Sequence, residues 1–188
     1  RAFAFGDLEP RDQILAAIAH HDDGWERWDR QPGVAEGRPI SFLEMPLGEA
    51  TAIWRASIER CREFGPAAGY VVAGHFCALL ERFAVSRADS PSKRKLADAF
   101  LAAYRRRMES WLAELPESLS PPLARHGVAV LQMFDAMSLW LCCDERTKCE
   151  VLGSAWFRLL QKVSLTRPAR RLSGTVYILM GFARRKRT

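Results

Sequence analysis

Long apolar runs are missing from this sequence. No stretch approaches the ~18–20 consecutive apolar residues of a membrane-spanning helix, so no membrane span is expected. No secretory signal pattern, internal repeat or low-complexity tract is visible either. Because 48% of the 188 residues are hydrophobic, the chain can build a sizeable core. We therefore expect a single domain that spans residues 1–188.

Cysteine is present, but not in the pattern of a disulfide framework or a zinc site. The five cysteines are odd in number, and no second ligand pair stands at zinc-ribbon spacing from Cys142, Cys143 and Cys149. Free thiols buried in helices fit this usage, and they indicate a reducing compartment. A cytoplasmic location is therefore expected.

A Gly-rich phosphate loop and a recognised nucleic-acid-binding motif are also missing. The net charge of +6 is concentrated at one end: residues 151–188 carry nine Lys or Arg and no acid, which leaves a net −3 on residues 1–150. Terminal basic runs of this kind are usually solvated. We therefore expect no nucleic-acid or membrane partner, and any phosphate ligand would be bound by individual Arg or Lys side chains.

What the sequence does contain is a series of helical patterns. Apolar spacing predicts five main helices, at 13–19, 48–64, 66–85, 92–115 and 120–143, the third of them buried and central. The second should bury one face, made of Ala52, Ile53, Ala56 and Cys61. Residues 29–46, rich in Gly and Pro, are predicted to form a long loop. These patterns predict an all-α helical bundle.

After Val151 the pattern weakens. Residues 157–165 could form a helix or a strand, and residues 175–180 are rich in β-branched and aromatic side chains, as strands are. We therefore expect any β-structure to be confined to the region after Val151, as a short C-terminal hairpin.

The densest polar cluster lies at the end of the first helix. Helical spacing places His21 and Asp22 on its apolar side, with His20 and Asp23 nearer the edge, and Gly24 is expected to end the helix. An imidazole and a carboxylate on a buried face need a partner, because an unpaired buried charge is costly. Either the two residues satisfy each other and nearby backbone groups, or they bind a divalent metal.

Two further polar residues are predicted to face the core, His75 in the most apolar helix and Asp135 in the last one. A lone buried His is commonly a satisfied core residue, whereas Asp is almost never fully buried without a partner. Taken together with His21 and Asp22, they predict a mixed imidazole and carboxylate pocket that suits Mn, Fe, Co or Zn. His126 lies nine residues before Asp135, on the opposite side of the same helix, and is excluded.

A His-Asp dyad followed by a helical His and a helical Asp resembles the HD-domain superfamily of metal-dependent phosphohydrolases. Three segments more closely resemble an uncharacterised bacterial family, known mainly as a domain of unknown function with HD-like features. These segments are His21–Trp25 with Trp28-Asp29, Gly37-Arg38-Pro39 with Phe42, and Leu131-Gln132 through Asp135 with Ser138-Leu139. The resemblance covers roughly residues 10–145.

The resemblance implies that His21, Asp22 and Asp135 are metal ligands and that His75 is the extra His of two-metal members. The superfamily's first His ligand precedes the dyad, whereas no His precedes His20 here. Either that ligand lies upstream of Arg1 in a longer chain, or the site is degenerate.

In an HD-like site the metal polarises a phosphoryl oxygen and lowers the pKa of a bound water. Asp23 is then the candidate general base, against a plain capping role. Arg38, in the loop after the dyad, is the candidate phosphate contact. His20 is a candidate substrate contact or spare ligand, against an exposed edge residue.

Three classes of function remain open. The first is a metal-dependent phosphohydrolase acting on a nucleotide or another small phosphoester. The second is a di-iron HD-like oxygenase, which a visible spectrum would reveal. The third is a non-catalytic binding or regulatory domain with a degenerate site.

Overall fold

The computed structural model describes residues 8–42, 44–87 and 90–142, and most of these residues form helices. The helices are α1 (Arg11–His20), α2 (Glu26–Arg30), α3 (Leu47–Arg62), α4 (Pro66–Arg87), α5 (Pro91–Ala113) and α6 (Ser120–Cys142). A 3₁₀ turn, Asp23–Trp25, connects α1 to α2. The predicted all-α class and the five long helices are confirmed. The predictions for residues 157–165 and 175–180 lie outside the described residues.

The first helix ends before Gly24, where the sequence predicted its end. α1 stops at His20, with His21 still in the right-handed helical region and Asp22 outside it, at φ −102°. The run of short polar side chains competes for backbone hydrogen bonds and favours a turn over a further helical turn. Gly24 therefore lies inside the 3₁₀ turn, and the prediction that it ends the helix was wrong.

A short hairpin interrupts the predicted loop. Strands β1 (Val34–Ala35) and β2 (Arg38–Pro39) pair antiparallel across the two residues Glu36 and Gly37, which both have positive φ. Positive φ at both central residues is the signature of a type I′ turn, the usual connection of a two-residue hairpin. The expectation that β-structure is confined to the residues after Val151 was therefore wrong.

The central helix is α4, which packs against α1, α3 and α5. Val71, Val72 and Ala73 are fully buried in it, as a helix that is apolar on all sides should be. At Gly74 an added Cβ would lie 2.4 Å from a methyl carbon of Val128 on α6, so the glycine permits close packing of the two helices. The prediction of a buried central helix is confirmed.

The buried face of α3 differs from the predicted one. Ala52 and Ala56 are exposed, and the buried residues are Ala50, Thr51, Ser57, Ile58 and Cys61. The face is shifted because α3 packs against the 3₁₀ turn as well as against α4 and α1. A polar residue on this face, Ser57, is buried because it bonds to that turn. Apolar spacing alone could not reveal this contact.

Contacts between Cα atoms divide the chain into residues 1–134 and residues 135–188. The first unit holds α1 to α5 and α6 as far as Phe134, and in the second unit the structure describes the end of α6, residues 135–142. The single domain over 1–188 and the cytoplasmic location stay predictions. Among the described helices, none has the length and apolar character needed to cross a membrane.

Candidate metal centre

The turn that follows α1 is fixed onto α3 by a close backbone contact. The amide N–H of Gly24 donates to the hydroxyl of the fully buried Ser57 at 3.0 Å. A Cβ added to Gly24 would lie only 2.2 Å from the carbonyl oxygen of Ile53. A residue without a side chain is therefore needed at this position. The contact fixes the turn, and with it the neighbouring His21-Asp22 pair, against α3.

His21 is oriented by the backbone of its own helix. Its Nδ1 lies 3.0 Å from the carbonyl oxygen of Ile18. A carbonyl oxygen can only accept, so Nδ1 carries the hydrogen and donates it. This tautomer leaves a lone pair on Nε2, the arrangement that metal-binding histidines commonly show. The side chain is only 13% exposed, so the ring is held in one orientation.

Asp22 lies beside that second nitrogen. Its Oδ2 is 3.2 Å from Nε2 of His21, and its side chain is 58% exposed. Burial raises the pKa of this carboxyl. In the protonated form of His21, which carries a second hydrogen on Nε2, the hydrogen bond and the charge of the ring lower the pKa, as do the charge of His75 and the side chain of Trp25, and the net shift is downward. The expectation that Asp22 faces the apolar side was wrong, because the helix ends before it.

His75 and Asp135 complete a group of potential ligands. His75 is 2% exposed, as predicted, and its ring stands edge-on to that of His21 with centroids 5.7 Å apart. One ligand atom from each of His21, His75 and Asp135 lies within 4.8 Å of the other two. Ligands at ~2.1 Å from one ion are at most ~4.2 Å apart. The three ligand atoms therefore fit around a divalent ion once they move slightly closer together. Asp22 is outside this group of three and lies beside His21.

The two edge residues of the cluster form a pair of their own. Nδ1 of His20 lies 2.9 Å from Oδ2 of Asp23, and the His20 ring stacks on Phe64 at 4.7 Å between centroids. The same Oδ2 lies 3.9 Å from Nε of Arg60 on α3. The carboxylate of Asp23 thus orients an imidazole, and its role as a general base stays a prediction.

Arg38 is held inside the loop after the dyad. Its two terminal nitrogens bond to the two carboxylate oxygens of Glu44 at 2.7 and 2.5 Å. These bonds lower the pKa of Glu44 to about 2. The proposed phosphate contact of Arg38 stays a prediction, and a bidentate pair already satisfies this guanidinium. His126 is exposed on α6, as expected from its position opposite Asp135.

Three contributors to the site escaped sequence reasoning: Trp25, Ser57 and Arg60. Trp25 belongs to the cluster's motif, but the sequence carries no signal that its side chain lowers the pKa of Asp22. Ser57 carried a weak signal, because a serine directly before Ile58 interrupts the apolar pattern of α3. Nothing in the local sequence brings Arg60 toward Asp23, since 37 positions separate the two.

One family model matches residues 1–171 of the chain, and its description is "Protein of unknown function (DUF3891)". No curated protein and no solved structure matches the chain. The match agrees with the resemblance to an uncharacterised family, and the likeness to the HD-domain superfamily stays a prediction.

Proposed function

The chain belongs to the DUF3891 family of proteins of unknown function, and we propose that it binds a divalent metal and hydrolyses a small phosphoester. The observation that carries this proposal is the pairing of His21 with Asp22. Nδ1 of His21 is committed to Ile18, so Nε2 presents a lone pair to a carboxylate oxygen 3.2 Å away. Two acceptors at this distance need a cation between or beside them, either a proton or a metal ion.

The residues around Nε2 favour the metal ion. A second imidazole, from His75, and a third ligand group, from Asp135, are within reach of the same point. Two imidazoles and a carboxylate suit Mn, Fe, Co or Zn. Catalytic zinc sites use a similar set of three protein ligands and keep a fourth position for water or substrate.

When bound, such an ion polarises a phosphoryl oxygen and lowers the pKa of a coordinated water. The chain's own residues supply the rest. Asp22, whose pKa is lowered, stays charged near neutral pH and attracts the ion. The carboxylate of Asp23 holds the ring of His20, and an imidazole is the side chain most often used for proton transfer. We assign proton transfer to this pair: the ring of His20 takes up and releases the proton, and Asp23 orients that ring.

Metal binding is tested by thermal unfolding after chelation, with and without added Mn²⁺, Fe²⁺, Co²⁺ or Zn²⁺. A ligand that binds only the folded state stabilises it by about 2.7 kcal/mol at a hundred times its Kd. We expect a clear rise in melting temperature for the wild type and none for His75→Gln or Asp135→Asn. His126→Ala changes an exposed residue on α6 and is the matched control, expected to keep the full rise. An equal rise in all four proteins, or no rise in any, would contradict the metal site.

Hydrolysis is tested by phosphate release from phosphomonoesters and nucleotides with the metal-loaded protein. We expect release by the wild type, its loss on chelation, and a slow rate for Asp23→Asn. Metal binding without release from any substrate would leave the metal site standing and contradict the hydrolase assignment.

A second candidate function has its own observation. Two His and one carboxylate are also the ligand set of non-haem Fe(II) oxygenases, and His21, His75 and Asp135 provide it. Iron that copurifies with the protein, a visible absorption band and substrate-dependent oxygen uptake would favour this function over phosphoester hydrolysis.

A further inference from the structure

A polar cleft lies directly beside the His21-Asp22 turn. Its volume is about 280 Å³, and the 3₁₀ turn, α2 and α3 form its walls. The lining residues are Asp23, Gly24, Glu26, Arg27, Ala56 and Arg60. The cleft therefore begins one residue after Asp22, and two of its lining residues are arginines.

The carboxylates of the cleft already have hydrogen-bond partners outside its lining. Glu26 accepts a hydrogen bond from Arg30 at 2.5 Å, and Asp23 accepts one from the ring of His20 at 2.9 Å. The charge of Glu26 is offset by Arg30. The two arginines of the lining therefore face one carboxylate without a charged partner outside the cleft, Asp23, and their positive charge attracts an anion.

The guanidinium groups of the cleft are only loosely engaged. Arg60 lies 3.9 Å from Asp23 and 3.8 Å from Glu63, beyond hydrogen-bond length, and it is 59% exposed. Around Arg27, among the described residues, no carboxylate oxygen lies within ion-pair distance. Arg38 is the opposite case, because both of its terminal nitrogens are bonded to Glu44.

Arg60 also lies close to the dyad. Burial raises the pKa of the thiol of the next residue, Cys61. The negative charges of Asp23 and Asp22 raise this pKa further, and the positive charge of Arg60 lowers it. All three charges are thus within electrostatic reach of one side chain. An anion bound by Arg60 would lie near the carboxylates of Asp22 and Asp23, and a metal ion bound beside them would weaken their repulsion of the anion.

We propose that this cleft is the anion-binding part of the site, where Arg60 and Arg27 bind the phosphoryl oxygens of a small phosphomonoester. The proposal rests on the proposed hydrolase function and deepens it. The planar fork of a guanidinium matches the oxygens of a phosphate group. The cleft is at the lower limit of the ~300–1,000 Å³ found for ligand pockets, so it fits a monoester with a small organic group rather than a dinucleotide.

The test uses inorganic phosphate as the probe and isothermal titration calorimetry as the measurement, on chelated protein and on protein loaded with Mn²⁺. We expect phosphate to bind the chelated wild type and to bind it more tightly with Mn²⁺. Arg60→Gln should weaken binding at least tenfold in both states, and Arg27→Gln should weaken it several-fold. Arg60→Lys, which keeps the charge but loses the fork, should lie between the wild type and Arg60→Gln.

Arg105→Gln changes an exposed arginine on α5 that bonds to Glu81, and it is the matched control, expected to leave phosphate affinity within twofold of the wild type. All of these side chains are exposed, and unchanged circular dichroism and melting temperature will show that the variants fold. Equal affinity in the wild type and Arg60→Gln, or no binding to the chelated wild type, would overturn the cleft assignment. Failure of the proposed hydrolase function would look different from failure of the cleft assignment. In that case phosphate would still bind in a way that depends on Arg60, but the protein would not bind metal.

Discussion

Replacing Gly24 with alanine tests whether the turn really docks on α3. The added Cβ would lie 2.2 Å from the carbonyl oxygen of Ile53, 2.6 Å from the hydroxyl of Ser57 and 2.7 Å from the amide nitrogen of Ser57. Real Cβ atoms do not approach other atoms so closely, and two of these three are backbone atoms of a helix. The turn must therefore move away from α3.

The cost of this movement has two parts. Overpacking a well-packed contact costs about 1–3 kcal/mol. Breaking the hydrogen bond between the Gly24 amide and Ser57 leaves a buried hydroxyl without that partner, at a further cost of about 1–3 kcal/mol. A loss of about 2–6 kcal/mol is a large share of the ~5–15 kcal/mol that stabilises a typical protein. At ~2–4 °C per kcal/mol for a chain of this length, we expect the melting temperature to fall by about 4–24 °C.

The assay is urea and thermal unfolding followed by circular dichroism, with Gly48→Ala as the matched control. Gly48 is in the first turn of the same helix α3, and an added Cβ there meets no atom within 4 Å. Alanine should be neutral at this position or stabilise the helix by up to ~1 kcal/mol. If Gly24→Ala is as stable as Gly48→Ala, the turn does not contact α3 as described. Ser57→Ala removes the hydrogen bond without the clash and should give an intermediate loss.

Two further predictions concern charge and burial elsewhere in the chain. Burial raises the pKa of Cys61 to about 12 and that of Cys77 to about 11. Both thiols should therefore resist modification by iodoacetamide at pH 8 in the folded protein. If peptide mapping finds them modified as fast as in urea, their burial is refuted. The hydrogen bond from Arg107 lowers the pKa of Glu59 below 4.5, so its stabilising effect is present above pH 4.5 and is lost as the pH falls through the lowered value. The stability difference between the wild type and Glu59→Gln should accordingly shrink from pH 7 to pH 3 in urea titrations, and a difference that grows at low pH would contradict the pairing.

Local sequence was a good guide to the long helices. α4 and α5 begin and end within a few residues of their predicted limits, because each places apolar residues at helical spacing over five or more turns. The stripe of α5 includes Phe100, Tyr104 and Trp111, which are all buried. The hairpin at Val34–Pro39 escaped prediction because its four strand residues are all exposed and therefore show no alternation. Its turn sequence, Glu36-Gly37, also lacks the preferred Asn or Asp before Gly.

The candidate site was predictable only in part. Some of its residues can be recognised within a single helix, whereas others depend on where a helix ends or on contacts between distant segments. His75 could be recognised from one helix, since it interrupts an otherwise apolar segment. Asp22 could not be placed, because extending the helix beyond His20 assigned its carboxylate to the wrong side. The contribution of Ser57 depends on a contact between residues 33 positions apart. Such a contact appears only when the turn and α3 are folded together.

The uneven exposure of the dyad bears on its purpose. If His21 and Asp22 served only to satisfy each other in the core, both side chains should be buried. Instead the imidazole is 13% exposed and the carboxylate 58% exposed, so water can solvate Asp22 without help from His21. The ring of His21 is nevertheless fixed by Ile18 on one side, while the backbone of its turn is fixed by Ser57. A rigid imidazole behind an accessible carboxylate is the arrangement that a ligand arriving from solvent requires, and this favours a binding site over a core pair.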